Sequence, residues 1–430
     1  MKRVLLLATG LLLTAGLAAG QGDIAVIEVD ASAALLDIPP TLFGANYGTL
    51  NMITPDLYPL VPESGITWWR FPGGAVGDDQ LLQRSTVDLY MGQARLFGLE
   101  MLIQARMEGG SPEMAADLVR MVNIDRGYDV RLWSIGNEAD LYDDYTAEQA
   151  AAEWRANALA MLEVDPDLVL VGPDTSQFTG NPADNPRAHE FLRVFLETNG
   201  DLVDIVSVHR YPFPDNGQGI AATIADLRAD APRWTDIAAN LHEWVLRYTG
   251  RDLPVAMNEV ASHWSAGTAG EATPDSHYNA IWWADVLGRI ITGGVDRVAY
   301  FGMQTNDGLS GHGLLARYDA RPTFYTYALY AEFGETLVRA TVPDDDVRAY
   351  AALRQSDGAL TILLVNMADE AHTRRIAVSG FETASAAARR FDSTHEGLAE
   401  LEMNDSLSDA GLELPPQSIT LLTLTPAGAP

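Results

Sequence analysis

The chain contains no cysteine and a single lysine, Lys2. Without thiols there is no disulfide, no thiolate metal site, no cysteine nucleophile and no cysteine for a lipid anchor. With its one lysine among the first residues, a Schiff-base mechanism lacks its amine. Long apolar runs are scarce too. Beyond the N-terminal segment none reaches the roughly 18 uncharged residues that a membrane helix needs. The 430 residues hold no repeat at solenoid periods and no low-complexity tract. What remains as chemistry is carboxylates, histidines and hydroxyls.

Met1-Lys2-Arg3, the apolar stretch from Val4 to Leu13 and Ala18-Ala19-Gly20 form the pattern of a secretory signal peptide over residues 1–20, with the mature chain starting near Gln21. The expected location is extracellular or periplasmic. The chain carries 28 Lys+Arg against 59 Asp+Glu, a formal charge of −31 that becomes −33 once Lys2 and Arg3 are removed. So negative a surface repels nucleic acid, anionic lipid and polyanionic chains, and neither nucleic acid nor membrane is an expected partner. It also favours solubility in salty or acidic surroundings. Nothing in the sequence speaks to the oligomeric state.

After a strand-like opener, Ile24 to Val29, apolar runs of strand length alternate with segments of helical period. The runs are Leu42–Asn46, Ile66–Phe71, Glu100–Gln104, Val130–Ile135, Leu168–Gly172, Val203–Val208, Leu253–Met257 and Val295–Phe301. Between them lie helical stretches such as Gln80–Phe97, Ala147–Val164, Ile220–Tyr248 and Tyr278–Ile291. Eight strand–helix alternations over residues 38–334 predict a (β/α)8 TIM barrel. Beyond it, residues 335–430 carry short alternating runs, Val347–Leu353, Leu360–Asn366, Arg374–Val378, Ala384–Phe391 and Ser418–Thr425, which predict an antiparallel β-sandwich. The opener, within residues 21–37, has no helix after it and is expected to join that sandwich. Asp344-Asp345-Asp346 reads as the hinge turn between domains, with calcium binding as the alternative.

In such a barrel, catalytic groups sit just past the C-terminal ends of the strands. Two glutamates stand there: Asn137-Glu138 after the fourth run, and Asn258-Glu259 after the seventh. Singly, each also reads as a helix start with an acidic first turn. Together, at opposite sides of the barrel, they place two carboxylates face to face across a ligand. Glycoside hydrolysis needs that pair, one protonated to donate to the leaving oxygen and one ionised to attack the anomeric carbon, about 5–5.5 Å apart on the retaining route.

Asn137-Glu138, Glu259 and the trailing sandwich resemble the clan A glycoside hydrolases, over essentially the whole mature chain. Phe43-Gly44 and Trp69-Arg70-Phe71-Pro72-Gly73-Gly74 are similar to segments of α-L-arabinofuranosidases and heparanase-like β-glucuronidases, although the chain continues Ala75-Val76-Gly77 where arabinofuranosidases usually have Asn-Phe. Arg321-Pro322-Thr323-Phe324-Tyr325 and Leu414-Pro415-Pro416-Gln417-Ser418 resemble recurrent clan features. The resemblance implies a secreted retaining glycosidase with Glu138 as acid/base and Glu259 as nucleophile. It further implies that Arg70 positions the nucleophile and that His209 and Tyr211 flank it. Asn137 then suits the sugar 2-hydroxyl. His209 suits the glycone or is a satisfied core histidine, and Gly73-Gly74 is a close approach or a bare tight turn. Asn46, closing the first run, and Trp264, in the loop after Glu259, are the remaining candidate substrate contacts. Asp140, Asp143 and Asp144 are expected on a solvated loop.

The expected partner is therefore an oligo- or polysaccharide, and the global charge favours a neutral plant or microbial glycan. No cofactor and no metal are expected: the eight histidines include no pair at the usual short ligand spacings. Two alternatives stay open, a β-glucuronidase of the heparanase-like type and a catalytically inactive carbohydrate-binding barrel.

Overall fold

The computed structural model of the protein describes residues 24–48, 51–213, 222–265, 267–306, 311–403 and 411–427. The leader expected over residues 1–20 lies outside them. Among the described residues, no helix is long and apolar enough to cross a membrane.

The chain opens with β1 (Val26–Asp37) and then lays down eight parallel strands: β2 (Phe43–Asn46), β3 (Trp68–Phe71), β4 (Glu100–Ala105), β5 (Leu132–Ile135), β6 (Val169–Thr175), β7 (Ile205–Arg210), β8 (Val255–Val260) and β9 (Arg297–Phe301). They close into a barrel in sequence order, β9 pairing with β2. The strands fall on the eight predicted runs, although β6, β7 and β8 extend further than the apolar pattern suggested. The helical stretch predicted as Ile220–Tyr248 is two helices among the described residues, Ile224–Asp230 and Arg233–Thr249. Pro232 stands between them, and a proline there removes an N–H that a continuous helix would need.

Strand periodicity divides each barrel strand into an inner and an outer row. In β3, Trp69 and Phe71 pack outward into the main core with the helices, while Trp68 turns inward to a small cluster with Leu102, Leu132, Val171, Ile205, Ala256 and Ala299. That cluster is the barrel floor. Trp68 fits because its neighbour is Gly44, where a Cβ would lie 2.2 Å from the indole. Two residues further along the same inward rows stand Arg70, Ser134, Ser207 and Asn258, all buried. The barrel thus changes from apolar to polar within one layer, toward its C-terminal mouth.

Behind the barrel lie β10 (Thr336–Thr341), β11 (Val347–Leu353), β12 (Leu360–Asn366), β13 (His372–Ser379), β14 (Thr383–Phe391), β15 (Leu398–Leu401), β16 (Leu412–Leu414) and β17 (Ser418–Pro426). With β1 they form a nine-stranded sheet in the order β15-β14-β17-β12-β11-β10-β1-β13-β16. Pairings are antiparallel except one: β1 lies antiparallel to β10 and parallel to β13. A strand that arrives from before the barrel is not bound by hairpin geometry, so either direction is open to it. Every residue of β12 is buried, Leu360, Ile362 and Leu364 in the core of the sheet and Leu363 and Val365 in the core shared with the barrel.

The acidic triplet is not the domain hinge. Asp344-Asp345-Asp346 lies between β10 and β11, inside the sandwich, because the chain has already entered the sheet at β10. Its carboxylates pair with Arg374, Arg348 and Arg228. Barrel and sheet are joined by polar contacts as well: Tyr350 of β11 donates to the backbone and side chain of Asp285, and Tyr278 to the carbonyl of Met367.

Tyr350 reaches Asp285 because Gly288, in the middle of helix His277–Thr292, leaves room for its ring; a Cβ there would lie 2.4 Å from ring carbons. Alanine is worth about 1 kcal/mol more than glycine in a helix interior. Gly288→Ala should nevertheless destabilise the fold, by about 1–3 kcal/mol from overpacking. Thermal denaturation checks the sign: an unchanged or raised midpoint would show that the ring is free to move.

Candidate active site

At the C-terminal mouth, Arg70 is fully buried and binds four side chains. Nη1 donates to Glu259 Oε1 at 2.6 Å and to Asn46 Oδ1 at 3.1 Å; Nη2 donates to Asn137 Oδ1 and to Asp174 Oδ2, both at 2.9 Å. Asp174, at the end of β6 and equally buried, also accepts from Asn258 Nδ2 at 2.8 Å and from the Ser207 hydroxyl. The second oxygen of Glu259 accepts from the Tyr211 hydroxyl at 2.8 Å. His209 Nδ1 is 2.9 Å from Glu138 Oε1 and 3.7 Å from Glu259 Oε2, while its Nε2 lies 3.7 Å from Asp174.

These charges set one another's protonation. Burial alone would deprotonate His209, but Glu259, Asp174 and Glu138 outweigh it and push the imidazole up to about 10. The ring is therefore an imidazolium at neutral pH. Burial alone would raise Asp174, yet Arg70, His209 and Ser207 hold it well below the usual carboxylate range. Glu138 goes the other way: burial raises it, the repulsion of Glu259 adds to the rise, and His209 opposes both. The mouth thus holds two fixed cations, a fixed anion and a carboxyl biased toward its protonated form.

Backbone geometry delivers the two glutamates. A register shift between β7 and β8 falls at Asn258, which is skipped as Val208 pairs with Met257 and His209 with Glu259. Such a bulge lets two consecutive side chains, Asn258 and Glu259, both reach the inner network. Glu259 consequently lies within β8 rather than past it. Glu138 stands just beyond β5 with φ 47° and ψ 47°, and Asp174 has φ 57°. Left-handed conformations at residues other than glycine are strained and gather where a site needs a side chain aimed. Glu138 is followed by a 3-10 turn, Ala139–Leu141, and its side chain makes no capping bond, so it does not serve as a helix cap.

Of the residues singled out from the sequence, Glu138, Glu259, Asn137, Arg70, His209, Tyr211 and Asn46 converge on this one network. Three of them hold other positions than direct sugar contact. Arg70 and His209 are fully buried, and Asn46 spends its amide on Asn258 O at 2.8 Å and its carbonyl on Arg70. Trp264 stands apart, 52% exposed, in the loop after β8. Asp140, expected in a solvated loop, is buried and accepts from the backbone and hydroxyl of Ser176. Asp174 and Asp78 are the acids that sequence reasoning missed. Asp174 stands at the end of β6 and Asp78 in the short helix after β3, so the strand-end rule that found the glutamates extended to them too, but neither carries the Asn-Glu pattern.

Glu138, His209 and Glu259 each bring one atom within 4.8 Å of the others. Those are donor types of a metal site, but here His209 is protonated toward Glu138, and both oxygens of Glu259 are engaged by Arg70 and Tyr211. A cation would have to displace a proton and an arginine.

A closed parallel eight-stranded barrel backed by a β-sandwich is a fold found among solved glycoside hydrolases. Solved structures share it over nearly the whole chain. A family 51 α-L-arabinofuranosidase from Bifidobacterium longum superposes with TM-score 0.75 at 18% identity, covering 93% of this chain and 99% of that one. A family 44 xyloglucanase from Paenibacillus polymyxa gives 0.73 at 16%, covering 94% and 100%. A bifunctional glucanase-xylanase from a metagenome library gives 0.72 at 18%, covering 94% and 99%. No protein-family model and no curated protein matches the sequence.

The raised value of His209 fixes a sign. Its contribution to stability is complete below the unfolded value near 6.5 and is lost as pH rises through about 10. Wild-type stability should therefore decline between those values, and a His209→Asn variant should lose that slope. Asp174→Asn removes the partner of Arg70 and His209 and should cost about 3–5 kcal/mol, the usual penalty for stranding a buried charge. Melting curves across the alkaline range test both. A wild-type midpoint that stays flat there would contradict the assigned imidazolium.

Proposed function

We propose that the protein is a retaining glycoside hydrolase with Glu138 as acid/base and Glu259 as nucleophile. The observation that carries this reading is the approach of the two carboxylates to within 4.8 Å, together with their unequal surroundings. Retaining enzymes hold the pair about 5–5.5 Å apart, whereas inverting ones leave about 6.5–9.5 Å for a water. Glu138, biased toward its protonated form, suits donation to the leaving oxygen. Glu259, gripped at both oxygens by Arg70 and Tyr211, suits in-line attack on the anomeric carbon. In the first step the Glu259–carbon bond forms as the glycosidic bond breaks and the Glu138 proton moves to the departing oxygen. In the second, Glu138 takes a proton from water, the water oxygen bonds the same carbon and Glu259 is released.

Supporting residues follow from the network. Arg70 takes the Asn137 carbonyl and leaves the amide nitrogen of that side chain for the sugar 2-hydroxyl, a contact that strengthens as positive charge builds on the ring. The imidazolium of His209 orients Glu138 and, as Glu138 gives up its proton, stabilises the resulting anion. The substrate is read as neutral, a pentose or gluco-configured glycoside, because the overall charge opposes a polyanion. The arabinofuranosidase, xyloglucanase and glucanase-xylanase neighbours favour the same substrate class. The N-terminal leader pattern supports an activity outside the cytoplasm.

Hydrolysis of a panel of aryl glycosides, with the product anomer followed by NMR, is the direct test. Retention of configuration is expected, with kcat/KM nearly independent of ionic strength. Glu259→Gln should abolish turnover. Glu138→Ala should keep activity only on activated leaving groups and be rescued by azide. Inverted product would sink the two-step route, and clear preference for an aryl glucuronide would show that local site charge overrules the global field.

A further inference from the structure

We propose that Asp78, a residue outside the acid/base and nucleophile network, is a positioning residue for the acid/base: a buried carboxylate that clamps the backbone ahead of Glu138. The assignment of this role rests on the glycosidase reading; the clamp itself rests on geometry. Asp78 is fully buried, so it does not touch substrate. Its Oδ1 accepts from the Met107 N–H at 2.7 Å and its Oδ2 from the Asn137 N–H at 2.8 Å, with the Tyr142 hydroxyl at 3.4 Å from Oδ2. Asp78 follows β3, Met107 follows β4 and Asn137 follows β5, so one side chain joins three successive loops of the barrel mouth.

The sequence around Asp78 is shaped for that reach. Gly73 and Gly74 both take left-handed φ, near 70°, and turn the chain into the short helix Val76–Asp79. Gly77 lies flat on the Gln104 amide, which a Cβ would approach to 2.0 Å. Gly136 packs on Met107, whose Cβ would be 2.9 Å from an added one. Asn137 is consequently held at two ends, its main chain by Asp78 and its side chain by Arg70. Glu138, next in sequence and in a strained left-handed conformation, inherits its direction from that anchor. Burial pushes Asp78 up to about 6 against the backbone donors of Met107, Asn137 and Glu108. An asparagine would carry no such charge, but it puts an NH2 donor in place of one of the two accepting oxygens, so one of the two N–H groups would face a donor. The carboxylate is the group that satisfies both.

The test separates the clamp from the activity. Backbone amide exchange at Met107 and Asn137 should accelerate at least about 10-fold in Asp78→Asn, whether or not the chain hydrolyses a glycoside; unchanged protection would overturn the clamp. For the role, kcat/KM of Asp78→Asn should fall about 100-fold on an alkyl glycoside, which needs the acid, and less than about 10-fold on a dinitrophenyl glycoside, which does not. Equal losses on the two substrates would show a general structural effect and overturn the role. If Asp78→Asn does not fold, Gly77→Ala lifts the same loop without altering the carboxylate and should show the same leaving-group dependence; its absence would count against the proposal. A wild type inactive on every glycoside would refute the glycosidase reading and the role with it, and leave the exchange result to judge the clamp.

Discussion

The mouth of the barrel depends on one buried guanidinium. Among the described residues, Arg70 is the only group that touches Glu259, Asn137, Asn46 and Asp174 together, and it does so with no exposure to water. A charge buried this deeply persists only if its partners neutralise and hydrogen-bond it. Asp174 supplies the countercharge, His209 balances the remaining carboxylates, and Ser207 and Asn258 occupy the other oxygen of Asp174. Replacing such a network by well-packed apolar residues would often be neutral or stabilising. A polar layer kept directly above an apolar floor is therefore better understood as chemistry than as a contribution to stability.

That network explains the local departures from ideal geometry. A regular β8 would alternate Asn258 and Glu259 between the inner and outer rows; the bulge at Asn258 brings both inward. Glu138 and Asp174 both sit at positive φ, and the carbonyl of Asp174 accepts from the N–H of Glu138 at 3.0 Å, so the two strained residues hold each other. The strain is tolerable because the strands beneath are fixed by the barrel ladder and the outward rows by the helices.

Among the described residues, the sandwich adds none to the network and acts on this site through rigidity. Its strands β12 and β17 share the main core with the barrel through Leu363, Val365, Ile419 and Leu421. Tyr350 and Tyr278 extend the joint with hydrogen bonds to helix and strand-end backbone. The helix bearing Gly288 and Asp285 precedes β9, which closes the barrel against β2, so the sheet buttresses the barrel at its seam.

Much of this was legible in the chain itself. Apolar runs at strand length, spaced by amphipathic helices, define an eightfold alternation, and the change to short alternating runs past Phe333 marks a second unit, because side-chain period is a local property. The lack of thiols and of a usable lysine leaves carboxylates, histidines and hydroxyls for chemistry, and the strand-end rule drew attention to Glu138 and Glu259. Closure of the barrel decided the rest. Nothing local tells that Asp174 and Asp78 are buried while Asp143 is exposed, since all stand at or beyond strand ends in loop-like sequence. Nor does the sequence tell that Arg70 and His209 lie beneath the carboxylates instead of beside a ligand, or that Asp344–Asp346 turns within the sandwich. Burial, countercharge and the bulge in β8 are relations between residues about 50 to 190 positions apart, and they exist only once the strands that carry them are side by side.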